Sequence, residues 1–149
     1  MERILGVDLG DRRWGIAISD ELCLFASPLP NIEAEEDEVF LNRLADILEQ
    51  HEVFEMVVGV PVSLDGNEGP RCRKARELIA KMRARFEHLK VVEWDERFTT
   101  VQAQHFLRES GLSKRKQRER VDAMAARIIL QSYLNSRAQI KTDSDEFDF

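Results

Sequence analysis

Residues 3–9, Arg3-Ile4-Leu5-Gly6-Val7-Asp8-Leu9, are apolar almost throughout and run into the turn residues Gly10-Asp11. A second such run, Met56-Val57-Val58-Gly59-Val60, is stopped by Pro61. Short continuous apolar runs fit strands buried on both faces. The segments between and after them supply the covering layers. Residues 14–19 form a strand close enough to the first for a hairpin, and residues 22–27 a third, ended by Pro28 and Pro30. Phe40, Leu44, Ile47 and Leu48 recur at helical spacing, with the acids of 33–38 ahead of them at the positive end of the helix dipole. A loop over 63–70 leads into a basic helix at about 70–86, then a strand at 90–95. Thr99 and Gln102 have capping-box spacing for a helix to Leu107. A final helix is expected at roughly 118–135. The order β-β-β-α-β-α-β-α-α predicts an α/β domain. Its mixed sheet has an antiparallel β1-β2-β3 part, a parallel part, and flanking helices.

The chain of 149 residues suits one domain and needs no disulfide or structural metal to fold. We assign it to residues 1–136 and expect 137–149, polar and acidic without periodicity, to be a disordered tail. Cys23 and Cys72 match no metal spacing, and neither has a histidine partner, so both are expected to be buried and inert. His51, His88 and His105 share no spacing and are read as structural or exposed. No apolar run approaches the ~18–20 residues of a membrane span. No leader is expected ahead of Ile4, and a cytoplasmic location follows.

The net charge of −6 by itself argues against a polyanionic partner, but the charge is unevenly spread. Residues 33–55 carry nine acids against Arg43, and residues 71–90 eight bases against Glu77 and Glu87. Residues 114–120 add Lys114, Arg115, Lys116, Arg118 and Arg120 against Glu119. A polyanion responds to the local field; a solvated helix face is the competing explanation.

Three carboxylates stand out. Asp8 ends a strand otherwise free of acids, where ligands of open α/β sheets bind; a turn aspartate is the alternative. Glu96 follows the strand Val91–Trp94 within Asp95-Glu96-Arg97. Asp122 shares a helix face with Ala125, Ala126, Ile129 and Tyr133. That face is small and apolar and suited to packing on the sheet; a first-turn aspartate favoured by the dipole is the alternative. Clustered without a cation, three carboxylates repel one another and raise each other's pKa. A hard divalent ion removes the conflict, and two such ions about 3.5–4 Å apart activate water and stabilise the leaving oxygen of a phosphodiester. Gly6, Gly10 and Gly15 do not fit a dinucleotide fingerprint, and the loop 59–70 is not a Walker loop.

The segment Asp8-Leu9-Gly10-Asp11-Arg12-Arg13-Trp14-Gly15-Ile16-Ala17-Ile18-Ser19-Asp20 resembles the opening signature of the YqgF family, also called RuvX. Val58-Gly59-Val60-Pro61 with Asp65-Gly66, Asp95 to Thr100, and Val121 to Ala126 resemble its later motifs, in the family's order. The resemblance spans about residues 3–135. It implies an RNase H-like fold related to the RuvC junction resolvases. It also implies a nuclease dependent on Mg²⁺ or Mn²⁺, assigned in bacteria to maturing the 5′ end of the small-subunit ribosomal RNA precursor and hence to ribosome biogenesis. The family's acidic positions match Asp8, Glu96 and Asp122. In that reading Asp8 bridges the metals, Glu96 and Asp122 complete the shell, and Arg97 steadies a phosphate or Glu96. Lys114, Arg115, Lys116, Arg118 and Arg120 hold the nucleic-acid backbone.

Three other readings compete. A Holliday junction resolvase acting on branched DNA keeps the fold and calls for a two-fold dimer, whereas the reading above expects a monomer or weak homodimer. A non-catalytic nucleic-acid-binding factor conflicts with carboxylates in a phosphate cleft. A sugar-kinase-like ATP binder needs more chain than is present.

Overall fold

The computed structural model describes residues 2–62, 66–97 and 124–138. Within these, β1 (Arg3–Asp8), β2 (Arg13–Ser19), β3 (Ala26–Glu33), β4 (Val53–Val60) and β5 (Lys90–Asp95) build one sheet in the order β3-β2-β1-β4-β5. β1 pairs β2 antiparallel, with Val7 opposite Ile16, and β2 pairs β3 antiparallel. β4 lies parallel to β1, with Val7 beside Val58, and β5 parallel to β4, with Gly59 beside Trp94. The expected mixed sheet is therefore present. The carboxyl ends of β1, β4 and β5 share one edge of it.

The period of two along each strand divides the core into two layers. Leu5 and Val7, Ile16 and Ile18, and Met56, Val58 and Val60 face α1 (Asp37–Gln50) and α2 (Pro70–Arg85). α1 is stabilised at its start by Asp37 and Glu38 in the first turn and buries Phe40, Leu41 and Leu44. Phe40 stacks on Trp14 of β2 with ring centroids 4.4 Å apart. α2 opens on Pro70, which has no N–H to leave unpaired at a helix start. It buries Cys72, Ala75, Leu78, Ile79 and Met82 on its inner face.

The opposite face of the sheet carries α3, residues 124–138. Ala126, Ile129, Leu130, Tyr133 and Leu134 pack on Ile4, Ala17 and Val57. The expected sheet-facing stripe is thus present over its described part. Contact is close because Gly6 has no side chain. A Cβ there would come within 2.7 Å of the Leu130 Cβ and 2.9 Å of the Ala126 carbonyl oxygen. At the other end of α3 the Tyr133 hydroxyl donates to Glu55 of β4, a carboxylate only 2% exposed, and Lys90 Nζ lies 3.6 Å from the same group. Burial, and then the Glu55 acceptor, push the Tyr133 hydroxyl up to about 12.

Three local expectations are corrected. The third strand runs from Ala26 to Glu33, not over 22–27, and holds Pro28 and Pro30 within it. Its one neighbour among the described strands is β2, and on an edge strand a missing N–H need cost no ladder bond. Residues 20–25 form a turn instead. Asp20 Oδ1 accepts from the Leu24 and Phe25 amides at 2.7 and 3.0 Å, which leaves Leu22 74% and Phe25 68% exposed. Cys23 sits in that turn at φ 57°, half-buried rather than buried, whereas Cys72 is buried as expected. His51 caps α1 through its backbone, and His88 lies in the turn before β5. His105 and the expected helix at 99–107 lie outside the described residues. α3 continues to residue 138, past its expected end. No helix among the described residues is long and apolar enough to cross a membrane.

The close approach at Gly6 gives a direct test. Gly6→Ala should destabilise the protein by about 1–3 kcal/mol, the usual cost of overpacking, read as a lower urea midpoint. Adding Leu130→Ala should not restore it, because alanine keeps the Cβ and the Ala126 carbonyl stays in place.

Candidate active site

Ile4, Gly6 and Asp8 alternate onto the α3 side of β1. The strand thus delivers the Asp8 carboxylate to the carboxyl edge, on the face that α3 covers. Glu96 arrives from the far side of β4. β5 ends at Asp95, and the Glu96 amide donates to the Val60 carbonyl at 3.1 Å, continuing the parallel ladder one residue further. Gly59 of β4 provides the space between them. A Cβ on Gly59 would overlap Glu96 Oε1 and lie 2.6 Å from Ile129 Cδ1 of α3 and 2.8 Å from Glu96 Cγ. The Glu96 side chain can therefore reach Asp8, and the two carboxyl groups are hydrogen-bonded.

Two carboxylates in contact cannot both ionise cheaply. Glu96 is pushed up to about 9, first by burial and then by its hydrogen bond to Asp8 and the Asp8 charge. Arg71 opposes the rise, and Asp95 adds weakly to it. Near neutral pH Glu96 therefore keeps its proton.

Arg97 does not reach into this pair. Its Nε donates to Asp95 Oδ2 at 2.7 Å and its amide to Asp95 Oδ1 at 2.9 Å. This clasp holds Asp95 below the usual carboxylate range. The Arg97 guanidinium is thus paired with Asp95.

A cleft of about 750 Å³ opens over Asp8. Gly10, Asp11, Arg12 and Arg13 of the β1–β2 turn form one wall, and Arg71 at the start of α2 faces them. Glu33 and Glu35 border its outer side, where Arg13 pairs with Glu33 at 3.1 Å. Gly10 is required in the turn because a Cβ there would overlap the Arg13 carbonyl oxygen. Sequence reasoning gave no role to Arg12 or Arg13, and took Arg71 only as one of the eight bases of 71–90. For Arg71 there was a readable signal: it directly follows the proline that starts a helix, beyond the carboxyl end of a buried strand.

Of the expected site residues, Asp8 and Glu96 come together. Asp122, Lys114, Arg115, Lys116, Arg118 and Arg120 lie outside the described residues. Among the described residues no group of three His, Cys, Asp or Glu side chains is placed to hold a metal ion; the described part of the site is a pair.

A five-stranded sheet in this order, with helices on both faces, defines an RNase H-like α/β protein. The chain belongs to the RuvX family, whose model, described as Holliday junction resolvase, matches residues 2–136. A protein of Desulforudis audaxviator is 41% identical over 91% of this chain and 95% of its own length. One from Acetivibrio thermocellus is 42% identical over 93% and 99%. Both are provisionally named pre-16S rRNA nuclease. Among solved structures, Thermus thermophilus RuvC in complex with a Holliday junction substrate matches with TM-score 0.56, at 15% identity over 93% of this chain and 96% of that one. The fowlpox virus resolvase bound to junction DNA matches with TM-score 0.51, at 14% identity over 90% and 97%. At these identities the likeness is one of fold.

The raised Glu96 carboxyl predicts a pH signature. Glu96 titrates near 4.5 when unfolded and near 9 when folded. Between those values the folded state holds a proton that the unfolded state has lost, so metal-free stability falls as pH rises through that window. Glu96→Gln has no such proton. In EDTA its stability relative to wild type should increase steadily from about pH 5 to about pH 9 by urea unfolding. Parallel curves for the two proteins would show that Glu96 does not hold its proton in the folded state.

Proposed function

We propose that this protein is a metal-dependent endonuclease that hydrolyses phosphodiester bonds at the 5′ end of the small-subunit ribosomal RNA precursor. The observation that carries this is the contact of Asp8 with Glu96 at the carboxyl edge of the sheet, beneath a cleft walled by arginines. Two carboxylates forced together suit a hard cation, which would relieve their repulsion. Asp8 and Glu96 would hold Mg²⁺ or Mn²⁺. Asp122, four residues ahead of Ala126 in sequence, is the candidate third ligand. The bound ion supplies Lewis acidity and an activated water. The chain's own groups do the rest. Arg12 and Arg71 grip phosphates on either side of the carboxylates, and the Asp95–Arg97 clasp keeps Glu96 directed at Asp8. Lys114, Arg115, Lys116, Arg118 and Arg120 extend the grip along the substrate. The relatives' name supports ribosomal RNA as the substrate. The family description favours a second reading, cleavage of four-way DNA junctions by a two-fold dimer.

One experiment separates them. Precursor RNA ends and synthetic junctions are incubated with the protein in Mg²⁺, Mn²⁺ or EDTA. The RNA should be cut in either metal and left intact in EDTA; junction cleavage by a stable dimer would reverse the choice. Asp8→Asn and Glu96→Gln should each lower cleavage by on the order of 100-fold or more, and the double variant by little beyond the singles, as expected of ligands acting as a unit. Mg²⁺ should raise the Tm of wild type and not of Asp8→Asn.

The arginines make a separate prediction. Arg71→Ala should weaken binding of single strands alike for all sequences and flatten the log–log salt dependence by roughly 0.7. Combination with Arg12→Ala should double that change. An unchanged slope would remove Arg71 from the phosphate path.

A further inference from the structure

Beside the cleft a smaller pocket of about 170 Å³ opens between the β1–β2 turn and the first turns of α2. Its apolar lining comes from Leu9, Pro61, Pro70, Ala75 and Leu78. Asp11, Arg71 and Lys74 also border it. Leu9, Gly10, Asp11 and Arg71 line both spaces, so pocket and cleft share a wall and an arginine.

We propose that this pocket receives one nucleobase of the bound strand, beside the phosphate held by Arg71. The inference rests on the nuclease reading and narrows its substrate to a strand unpaired at that point.

Size is the first argument. Pockets for drug-sized molecules run to roughly 300–1,000 Å³, whereas a cavity of about 150 Å³ lined by apolar side chains takes a benzene ring. The pocket therefore has room for one ring system and not for a nucleotide with its sugar and phosphates. Chemistry is the second. Two prolines, a leucine pair and an alanine suit the faces of a flat base, and Asp11 and Lys74 place an acceptor and a donor within its bordering residues. Continuity is the third. The sugar–phosphate backbone carries a base beside every phosphate, and here an arginine common to both spaces joins a phosphate cleft to a ring-sized pocket. A base within a duplex is stacked and paired and must leave both to enter such a pocket. An unpaired base enters without that cost, in keeping with the general use of splayed bases in RNA recognition.

The test compares an oligouridylate of about 12 nucleotides, within the usual ~4–16 of a single-strand site, with an abasic strand of the same backbone and length. Affinity is read by fluorescence anisotropy in Ca²⁺, which takes the same oxygen ligands as Mg²⁺ in a looser geometry that supports binding with little cleavage. Wild type should bind the intact strand about tenfold more tightly, on the scale of one stacked base. Ala75→Leu, which fills the pocket, should bind the intact strand as weakly as wild type binds the abasic one, with abasic binding unchanged. Ala75→Val makes a smaller version of the same change if the larger side chain unfolds the protein. No preference in wild type, or a full preference surviving in a folded Ala75 variant, overturns the pocket and leaves the nuclease reading standing. Failure of wild type to bind either strand overturns both.

Discussion

The close approach of α3 and Glu96 to one face of the sheet governs the geometry of the site, and two absent side chains allow it. Gly6 lets α3 settle on β1, and Gly59 leaves the space that Glu96 enters beside Ile129. With side chains at those positions the helix would ride higher and Glu96 would be turned away from Asp8. The two carboxylates meet because the backbone beneath them is bare. The buried Tyr133–Glu55 pair holds the far end of the same helix to β4. α3 is thus fixed at both ends on the face that carries the site.

The electrostatics follow from that geometry. Glu96 is driven to hold its proton because burial and the nearness of Asp8 act in the same direction and Arg71 opposes them only in part. Asp95, one residue earlier, goes the opposite way because Arg97 neutralises it within its own turn. Two adjacent acids thus have opposite pKa shifts, one set by burial and the Asp8 carboxylate and the other by the Arg97 guanidinium. That contrast separates a structural carboxylate from one suited to a ligand.

Charge around the cleft is also arranged by the fold. Glu33 and Glu35, at and just past the end of β3, are far in sequence from Arg71 at the start of α2, yet all three border the same space. The net charge of −6 is therefore a poor guide to the field over Asp8. Among the described residues the arginines that line the cleft are Arg12, Arg13 and Arg71. They belong to a hairpin turn and a helix start, not to the densest basic run of the sequence.

Much was legible in one dimension. Strand and helix periodicity yielded the mixed sheet, the inward stripe of α3 and two carboxylates at strand ends, because burial writes itself into apolar spacing. The motif order carried the family. The prolines of β3 misled because a proline reads as a strand terminator unless the strand lies at an edge, and edge position is a property of the assembled sheet. Arg97 was read as steadying a phosphate or Glu96, and its partner Asp95 was not legible, since a guanidinium two residues from Asp95 and one from Glu96 is spaced to reach either. That Asp8 and Glu96 touch, that Arg71 faces them, and that a ring-sized pocket adjoins the cleft were decided by tertiary structure alone. They depend on which strands become neighbours and on how closely a helix can approach a glycine.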